Sequence, residues 1–400
     1  MPDAVIVATG RTPIGRAMKG SLIDCRPDDL TALVISAVLE KVPQLPRDQV
    51  EDIIVGCGQP AGEAGYNVAR VAAILAGVDV PGVTVNRYCS SSLQTIRMAA
   101  HAIIAGEGHA FVAAGVETVS RFSQGASDVG SHNVAFADAE ARTVKRSPAV
   151  TDPWTPPTGL PDVYIAMGQT AENVAEYEEV SRSEQDEFAA RSQQLAVASQ
   201  ENGFFEREII PVKTPDGKLV TKDDGPRPGT TVEGLSQLKP VFREGGTVTA
   251  GNACPLNDGA AAVVVMSDTR AAELGITPLA RIIASGVSAL DPEIMGLGPI
   301  GACRQVLERA GMTIDDIDLV EINEAFAAQV IPSARHLGIP LEKLNVKGGA
   351  IALGHPFGMT GARIMTTLLN ALEDEDKTIG LETMCVGGGQ GMAMIVERLA

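Results

Sequence analysis

The sequence lacks several features that would place it among membrane or metal-binding proteins. None of its apolar runs approaches the roughly 18 residues that suggest a transmembrane helix. The six cysteines include no Cys-x-x-Cys pair, and no histidine lies close enough to one of them to suggest a zinc site. The N-terminal residues have no basic segment that would indicate a leader. We therefore expect a protein that spans no membrane, holds no metal and works in the reducing cytoplasm.

Basic residues are also scarce relative to acidic ones. Lysine and arginine number 32 against 50 aspartates and glutamates, which gives a formal charge of −18. Such a chain repels nucleic acid and acidic membranes unless it carries a local basic patch. Apolar residues make up 45% of the 400 positions, so the chain can build a core, and its length predicts two or three substructures.

Apolar strand patterns alternate with longer helical patterns, which favours an α/β fold. In the N-terminal part the patterns predict strands at 5–8, 53–55, 83–86 and 110–114 and helices at 29–41 and 90–105. In the C-terminal part they predict strands at 318–322, 344–346 and 379–384 and helices at 304–310, 325–337 and 361–372. Cys89 lies 36 residues after Ile53, and His355 lies 36 residues after Leu319. The repeated order and spacing suggest a duplicated unit.

A different kind of segment separates the two parts. Residues 120–248 begin with a proline-rich stretch, continue with a helical pattern over 170–200, and end with a basic stretch rich in Gly and Pro over 213–243. The basic residues there are Lys213, Lys218, Lys222, Arg227, Lys239 and Arg243. An insertion of this kind commonly forms a binding loop or lid.

Cys89 is the first candidate for chemistry. It lies where a strand pattern ends and a helix pattern begins, so its thiol would face the positive end of the helix dipole. This position favours a thiolate nucleophile, although a lone cysteine is more commonly a buried structural residue.

Three further segments place reactive groups at turns. His355 follows a glycine-rich run and could take a proton from a thiol, or be a surface turn residue. Cys385 precedes the glycines that include Gly387, whose free N–H groups could stabilise an oxyanion. A phosphate-binding loop is a rival interpretation, against which the missing Lys-Ser/Thr counts. Asn323 lies at a strand-to-helix junction, where it could be only a helix cap.

Taken together, these segments resemble the thiolase family along nearly the whole chain. The resemblance is carried by Asn86-Arg87-Tyr88-Cys89-Ser90-Ser91-Ser92-Leu93, Asn323-Glu324-Ala325-Phe326, Gly354-His355-Pro356 and Cys385-Val386-Gly387, with support from 167–175 and 252–261. It implies two similar halves in a five-layer αβαβα sandwich with an inserted loop domain. The implied divisions are 1–119, 120–248, 249–271 and 272–400. The second is the loop domain, and the third completes the N-terminal half.

The resemblance also implies a role for each site residue. Cys89 would be acylated, His355 would activate it, and Cys385 would act as acid and base on the acetyl-CoA carbon. Asn323 would hold a water that forms one oxyanion hole with His355, and the N–H groups of Cys89 and Gly387 would form the other. Coenzyme A would be a substrate, with no tightly bound cofactor. Its implied contacts are Arg227, Met167, Ala250, Cys254 and Phe326.

Three positions depart from the family pattern or mark a branch of it. Ser92 stands where most members have Gly, Cys254 stands where a serine usually contacts pantetheine, and Ala166 stands where acetoacetyl-CoA thiolases carry His. The resemblance is to the degradative branch, which implies a 3-ketoacyl-CoA thiolase of fatty-acid β-oxidation. The alternatives are an acetyl-CoA acetyltransferase, a non-catalytic lipid-binding relative, and a subunit that only docks other enzymes. The resemblance to the family also implies a homodimer or homotetramer, with possible association with β-oxidation hydratase and dehydrogenase.

Overall fold

The computed structural model describes residues 2–148 and 153–400; part of the proline-rich stretch, residues 149–152, lies outside the described residues. It confirms the α/β class. The strands are β1 Ala4–Arg11, β2 Gly15–Arg16, β3 Asp52–Gly56, β4 Gly82–Val85, β5 Ala110–Thr118, β6 Val212–Lys213, β7 Leu219–Val220, β8 Asn257–Ser267, β9 Ala280–Ala289, β10 Leu319–Ile322, β11 Ile379–Val386 and β12 Gln390–Arg398. The helices are α1 Pro27–Glu40, α2 Val68–Leu75, α3 Ser91–Ala105, α4 Ala137–Arg146, α5 Met167–Tyr177, α6 Arg182–Glu201, α7 Val232–Ser236, α8 Asp268–Leu274, α9 Gly298–Ala310, α10 Ala327–Leu337, α11 Ala350–Leu353 and α12 Thr360–Asp374.

The sheet topology repeats from one half of the chain to the other. The first half has the strand order β4-β3-β5-β8-β1, and the second half has β10-β11-β12-β9. In each half the inner strands run parallel and the last two pairings are antiparallel. A parallel bridge from Leu344 to Val320 stands where β4 pairs with β3, which completes the second copy. The two copies join through the short antiparallel pairing of β1 with β9.

The helices cover both sheets and fill the space between them. Helices α1 and α2 pack on the outer face of the first sheet, and α9 and α10 pack on the outer face of the second. Helices α3 and α12 lie in the middle layer, where Leu93 and Ile96 meet Met365 and Leu368 among residues of both sheets. This arrangement is the five-layer αβαβα sandwich, so the predicted fold is confirmed. No helix within the two described ranges is long and apolar enough to cross a membrane.

Two predicted elements were wrong. The strand expected at 344–346 is only the isolated bridge of Leu344. The helix expected over 170–200 is two helices, α5 and α6, because a new helix begins after Ser181. Ser181 and Glu184 form a reciprocal capping box there, and Glu179 has a positive φ of 54° that ends the preceding helix. Local capping therefore overrides the continuous apolar pattern.

Candidate active site

The nucleophile candidate lies at a strained turn between β4 and α3. Tyr88, Cys89 and Ser90 form a single 3₁₀ turn that leads into α3, and Tyr88 has a positive φ of 43°. Such a conformation is costly for a residue with a side chain and persists only where surrounding contacts enforce it. The side chain of Asn86 accepts a 2.8 Å hydrogen bond from the Tyr88 N–H, which fixes the turn. Cys89 itself is 8% exposed.

The glycine loop of the second half reaches this thiol. Residues 387–389 connect β11 to β12, and Gly388 and Gly389 both have a φ of 77° that favours glycine. The backbone N–H of Gly387 favours the thiolate form of Cys89 and so lowers its pKa, although burial raises that pKa more strongly. The ring of Tyr88 packs against this loop, about 3.5 Å from where a side chain at Gly387 would begin. The glycine loop of the second half therefore lies beside the turn that carries Cys89.

Asn323 and Cys385 come from the neighbouring strands β10 and β11. The Asn323 N–H donates to the carbonyl of Thr383 at 3.0 Å, so Asn323 stands beside the strand that carries Cys385. Its side-chain nitrogen lies 3.4 Å from Nε2 of His355. Its Oδ1 is buried and has no hydrogen-bond partner among the described residues, so this oxygen is able to accept a hydrogen bond.

His355 lies in the loop between α11 and α12 and is 2% exposed. Its N–H donates to Oδ1 of Asn257 at 3.0 Å, and its ring Nδ1 lies 2.6 Å from Oγ1 of Thr360. The side chain of Asn257 in turn donates to the carbonyl of Gly15 at 3.0 Å. Both the backbone and the ring of His355 are therefore fixed.

Helices α3 and α12, which begin shortly after Cys89 and His355, are joined by a hydrogen bond. The hydroxyl of Ser92 in α3 accepts a hydrogen bond from the N–H of Ala362 in α12 at 2.9 Å, and both residues are buried. Gly361 allows the close approach, because a side chain there would meet the backbone of Leu93 at 2.2 Å. The serine that departs from the usual glycine is thus accommodated by a specific contact between the two halves.

Electrostatics in the site differ from one sequence-based expectation. Burial raises the pKa of the Cys89 thiol to about 11, against the opposing effect of the Gly387 N–H. Burial, and then Arg363, lower the pKa of His355 to about 3. The prediction that the helix dipole would favour a thiolate at Cys89 was therefore wrong for the free enzyme, because desolvation of the charged form is the larger effect.

Cys254 joins the other two thiols rather than lying apart from them. Burial, followed by the charge on Cys89, raises its pKa, and the pKa of Cys385 is raised by burial and then by Cys89 and Cys254. Cys254 and Cys385 also share an apolar cluster with Met167 and Phe326. The buried thiols of Cys89 and Cys385 and the partly exposed thiol of Cys254 therefore interact electrostatically in one site.

A cavity of about 400 Å³ opens beside Cys254. Its walls include Ala250, Cys254, Arg227 and, from the N-terminal segment, Arg16. Within the described part of the chain, neither guanidinium of these two arginines has a hydrogen bond or ion pair with a protein group. Arg16 also acts on Arg227, whose pKa is lowered by burial first and by Arg16 second. Two neighbouring unpaired cations at one cavity suit an anionic ligand.

Arg243, in the same basic stretch, does not provide the open positive charge that the sequence suggested. Arg243 is 4% exposed, and its guanidinium donates to Glu176, Gln169 and Asn173 of α5. It therefore holds the loop domain together and contributes no open positive charge. Arg227 is the member of that stretch that lines the cavity.

Sequence patterns did not identify Thr360, Asn257 or Glu117. Glu117, at the end of β5, is 1% exposed and accepts hydrogen bonds from the N–H groups of Gly58, Gln59 and Gly358. It thereby joins the loop after β3 to the loop that carries His355. A single acidic residue at the end of an otherwise apolar strand was the signal available for it. For Arg16 the sequence offered no signal.

No group of three or more His, Cys, Asp or Glu side chains could hold a metal ion in the described ranges.

Comparisons with known proteins agree with this geometry. The thiolase N-terminal domain family matches residues 4–269, and the thiolase C-terminal domain family matches residues 276–398. The chain is 45% identical over 409 residues to the 3-ketoacyl-CoA thiolase of Aeromonas hydrophila subsp. hydrophila, and 45% identical over 410 residues to a β-ketoadipyl-CoA thiolase of Acinetobacter baylyi; both alignments cover 100% of each chain. It is also similar to the crystal structure of the Bacillus anthracis acetyl-CoA acetyltransferase, with a TM-score of 0.85, 38% identity, and coverage of 100% of this chain and 99% of the other. The chain therefore belongs to the thiolase family of acyltransferases.

Proposed function

We propose that the enzyme is a 3-ketoacyl-CoA thiolase in which Cys89 carries the acyl group. The packing of the turn that carries Cys89 against the glycine loop after Cys385 is the observation that carries the assignment, because the Tyr88 ring lies about 3.5 Å from where a side chain at Gly387 would begin. It puts a backbone donor beside the atom that would attack, where the oxyanion of the adduct would form. Cys385 and His355, both buried in the same site, supply the proton-transferring groups.

The proposed reaction divides the work between these residues. The Cys89 sulfur attacks the 3-keto carbon while its proton moves to His355. Collapse of the adduct breaks the bond between carbons 2 and 3, and Cys385 protonates the departing acetyl-CoA enolate. The thiol of a second coenzyme A then gives its proton to Cys385 and attacks the acyl-Cys89 thioester. The bond from the acyl carbon to Cys89 breaks, the Cys89 sulfur regains its proton from His355, and the shortened acyl-CoA leaves. The N–H groups of Cys89 and Gly387 donate hydrogen bonds to the first oxyanion. A water bound to Asn323 and the ring of His355 donate hydrogen bonds to the enolate oxygen.

Peptide mass spectrometry after incubation with an acyl-CoA donor tests the nucleophile. We expect the acyl mass on the peptide that contains Cys89 in the parent enzyme and in Cys385→Ser, and its loss in Cys89→Ser. An acyl group on Cys385 with Cys89 unmodified would contradict the assignment. Turnover of acetoacetyl-CoA would separate the enzyme from the non-catalytic lipid-binding and docking alternatives.

The cavity beside Cys254 is proposed as the coenzyme A site. Its two unpaired arginines, Arg16 and Arg227, match the phosphates of that ligand despite the chain's net charge of −18. Ala250 and Cys254 line the same cavity, while Met167 and Phe326 lie in the apolar cluster around Cys254. The proposed path for coenzyme A therefore runs from the two arginines to the apolar cluster around Cys254. No tightly bound cofactor is proposed.

The chain-length preference is proposed to favour medium or long substrates over acetoacetyl-CoA. Ala166, just before α5, is small and exposed where a histidine marks the four-carbon specialists. Trp154, in the loop that precedes α5, is a second residue proposed to shape the acyl site. It is buried, its indole N–H donates to Glu293 at 2.9 Å, and its ring packs edge-on against Tyr177. Each buried methylene is worth about 0.8 kcal/mol at most, so a few can change kcat/KM by one or two orders of magnitude.

Thiolysis rates across a series of 3-ketoacyl-CoA lengths decide between the two subtypes. We expect kcat/KM to rise beyond the four-carbon substrate. A maximum at acetoacetyl-CoA would instead support an acetyl-CoA acetyltransferase, the activity named for the Bacillus anthracis structure.

The domain division 1–119, 120–248, 249–271 and 272–400 is retained as part of this proposal, because β5 ends at Thr118 and β8 begins at Asn257.

A reducing compartment such as the cytoplasm is proposed because Cys89 and Cys385 must both stay reduced to work. The proposed substrate also makes the hydratase and dehydrogenase of β-oxidation reasonable partners, since they form 3-ketoacyl-CoA; co-purification with them tests this.

A homodimer is proposed through the edge of β4. This strand ends its half of the sheet, and no strand pairs with its outer edge among the described residues. Val83 on that strand and Tyr66, Ile74 and Leu75 beside it are exposed. Uncovered apolar edges are normally paired or protected. Val83→Lys should shift the sedimenting species toward monomer; an unchanged oligomer would place the main interface elsewhere.

A further inference from the structure

A threonine hydroxyl lies within hydrogen-bond distance of one ring nitrogen of His355. Nδ1 lies 2.6 Å from Oγ1 of Thr360, and the same oxygen lies 2.8 Å from the carbonyl oxygen of Pro356. Thr360 is the first residue of α12 and has no exposed surface. The contact is therefore screened from water and held by a helix start, so its geometry is stable.

The proton on His355 is constrained by this contact. Because Nδ1 faces Thr360, Nε2 is the ring nitrogen available to take a proton from Cys89. Neutral imidazole carries one hydrogen, so a free lone pair on Nε2 requires the hydrogen on Nδ1. The Thr360 oxygen accepts that hydrogen bond and directs its own hydrogen to the Pro356 carbonyl. A hydroxyl can do both at once, whereas a methyl group can do neither.

We propose that Thr360 is a positioning residue that fixes the catalytic tautomer and orientation of His355. The inference rests on the proposed role of His355 as base. It requires no charge on the partner, in contrast to a carboxylate that would make the imidazole more basic. The hydroxyl aims Nε2 while leaving His355 uncharged, and it accepts from the imidazolium when the proton arrives.

Two variants separate this role from ordinary packing. Thr360→Val keeps the shape and removes the hydroxyl; the Pro356 carbonyl stays satisfied by the N–H groups of Met359 and Thr360 at 3.0 and 3.1 Å. Thr366 provides the matched control, because it is also fully buried in α12 and its hydroxyl donates to the carbonyl four residues back at 2.8 Å, away from His355. Thr366→Val should therefore reproduce the structural effect alone.

The measurement is the rate at which an acyl-CoA donor acylates Cys89, with circular dichroism as a check of folding. Thr360→Val should lower this rate by about tenfold to a hundredfold, by analogy with the loss of a partner that orients a metal-binding histidine. Thr360→Ser, which keeps the hydroxyl, should recover the rate to within about threefold, and Thr366→Val should match the parent enzyme. Thr360→Ala replaces the valine variant if the latter does not fold.

A double-mutant cycle shows whether Thr360 acts through His355. In His355→Ala, the residual acylation rate should be unaffected by adding Thr360→Val. An equal loss in both backgrounds, a loss in Thr366→Val as large as in Thr360→Val, or no loss in Thr360→Val would each overturn the proposal. A parental rate in His355→Ala would overturn the base assignment itself, which is a distinct result.

Discussion

Cys89 and His355 should remain uncharged in the free enzyme throughout the physiological pH range. Burial is the main cause of the pKa of about 11 for the thiol and of about 3 for the imidazole. Transfer of the proton from sulfur to nitrogen before substrate binds is therefore uphill by about eight pKa units, or about 11 kcal/mol, before the attraction between the two new charges is subtracted. The dipole of α3 contributes at most about 2 kcal/mol in favour of the thiolate, so the neutral pair prevails.

The assay is the ultraviolet absorbance of thiolate, taken as the difference between the parent enzyme and Cys89→Ser. We expect no step in this difference between about pH 6 and about pH 9, and a rate of Cys89 alkylation that rises about tenfold per pH unit there. A difference signal at neutral pH would refute the reasoning and show a preformed ion pair. Cys385→Ser serves as the control, because it removes a different buried thiol from the same site.

One consequence concerns the timing of proton transfer. If the free pair is neutral, the proton must leave sulfur as the carbon–sulfur bond forms, and His355 acts within that step. The acylation rate should then be slower in deuterated water. An isotope-independent rate would indicate a thiolate formed earlier, in agreement with a positive result in the absorbance assay.

Three further predictions concern the ligand cavity and the core. Arg227→Ala and Arg16→Ala should each raise the KM for coenzyme A about fivefold with little change in kcat, which corresponds to about 1 kcal/mol for a partly exposed phosphate contact. Ser92→Ala should lower the free energy of unfolding by about 1–3 kcal/mol, because it leaves a buried N–H in α12 unpaired. Glu321→Gln should make stability less dependent on pH. Burial raises the pKa of Glu321 from 4.5 to about 8, so its protonated form stabilises the fold at low pH. This contribution to the free energy of unfolding, at most about 4–5 kcal/mol, is lost as the pH rises from about 4.5 to about 8.

Controls for these predictions are available in the chain. Lys222→Ala removes an exposed cation of the same basic stretch outside the cavity lining and should leave the KM unchanged. Glu233→Gln alters an exposed carboxylate, so urea unfolding at several pH values should match the parent enzyme. An unchanged KM in both arginine variants, a fully stable Ser92→Ala, or parallel pH profiles for parent and Glu321→Gln would contradict the respective prediction.

The sequence was sufficient to predict features that depend on local pattern. Alternating strand and helix periods predicted the α/β fold. The junction before α3 and the glycines after Cys385 indicated two segments that the structure brings into contact. Patterns failed where local capping or pairing decided the outcome. Ser181 began a new helix inside a continuous apolar pattern, and Leu344 formed one bridge where a strand was expected.

Properties that depend on contacts across the fold could not be predicted. Arg243 and Arg227 lie in the same basic stretch, yet one is enclosed by α5 and the other lines the cavity. Arg16 reaches that cavity from the far end of the chain. The direction of the pKa shift at Cys89 was also missed, because it depends on the burial of the thiol, which a strand–helix junction alone does not determine.

Duplication explains how residues of the two halves converge. Cys89 lies just before α3, and His355 lies just before α12, at equivalent places in the repeated topology. Because α3 and α12 fill the same middle layer and are tied by Ser92 and Ala362, both helix starts open on one site. Two positive helix ends stabilise negative charge that develops on an oxyanion and disfavour a resting imidazolium. Under the proposed mechanism, the same packing that joins the two sheets supplies an environment in which neutral groups react and the charge appears on the substrate.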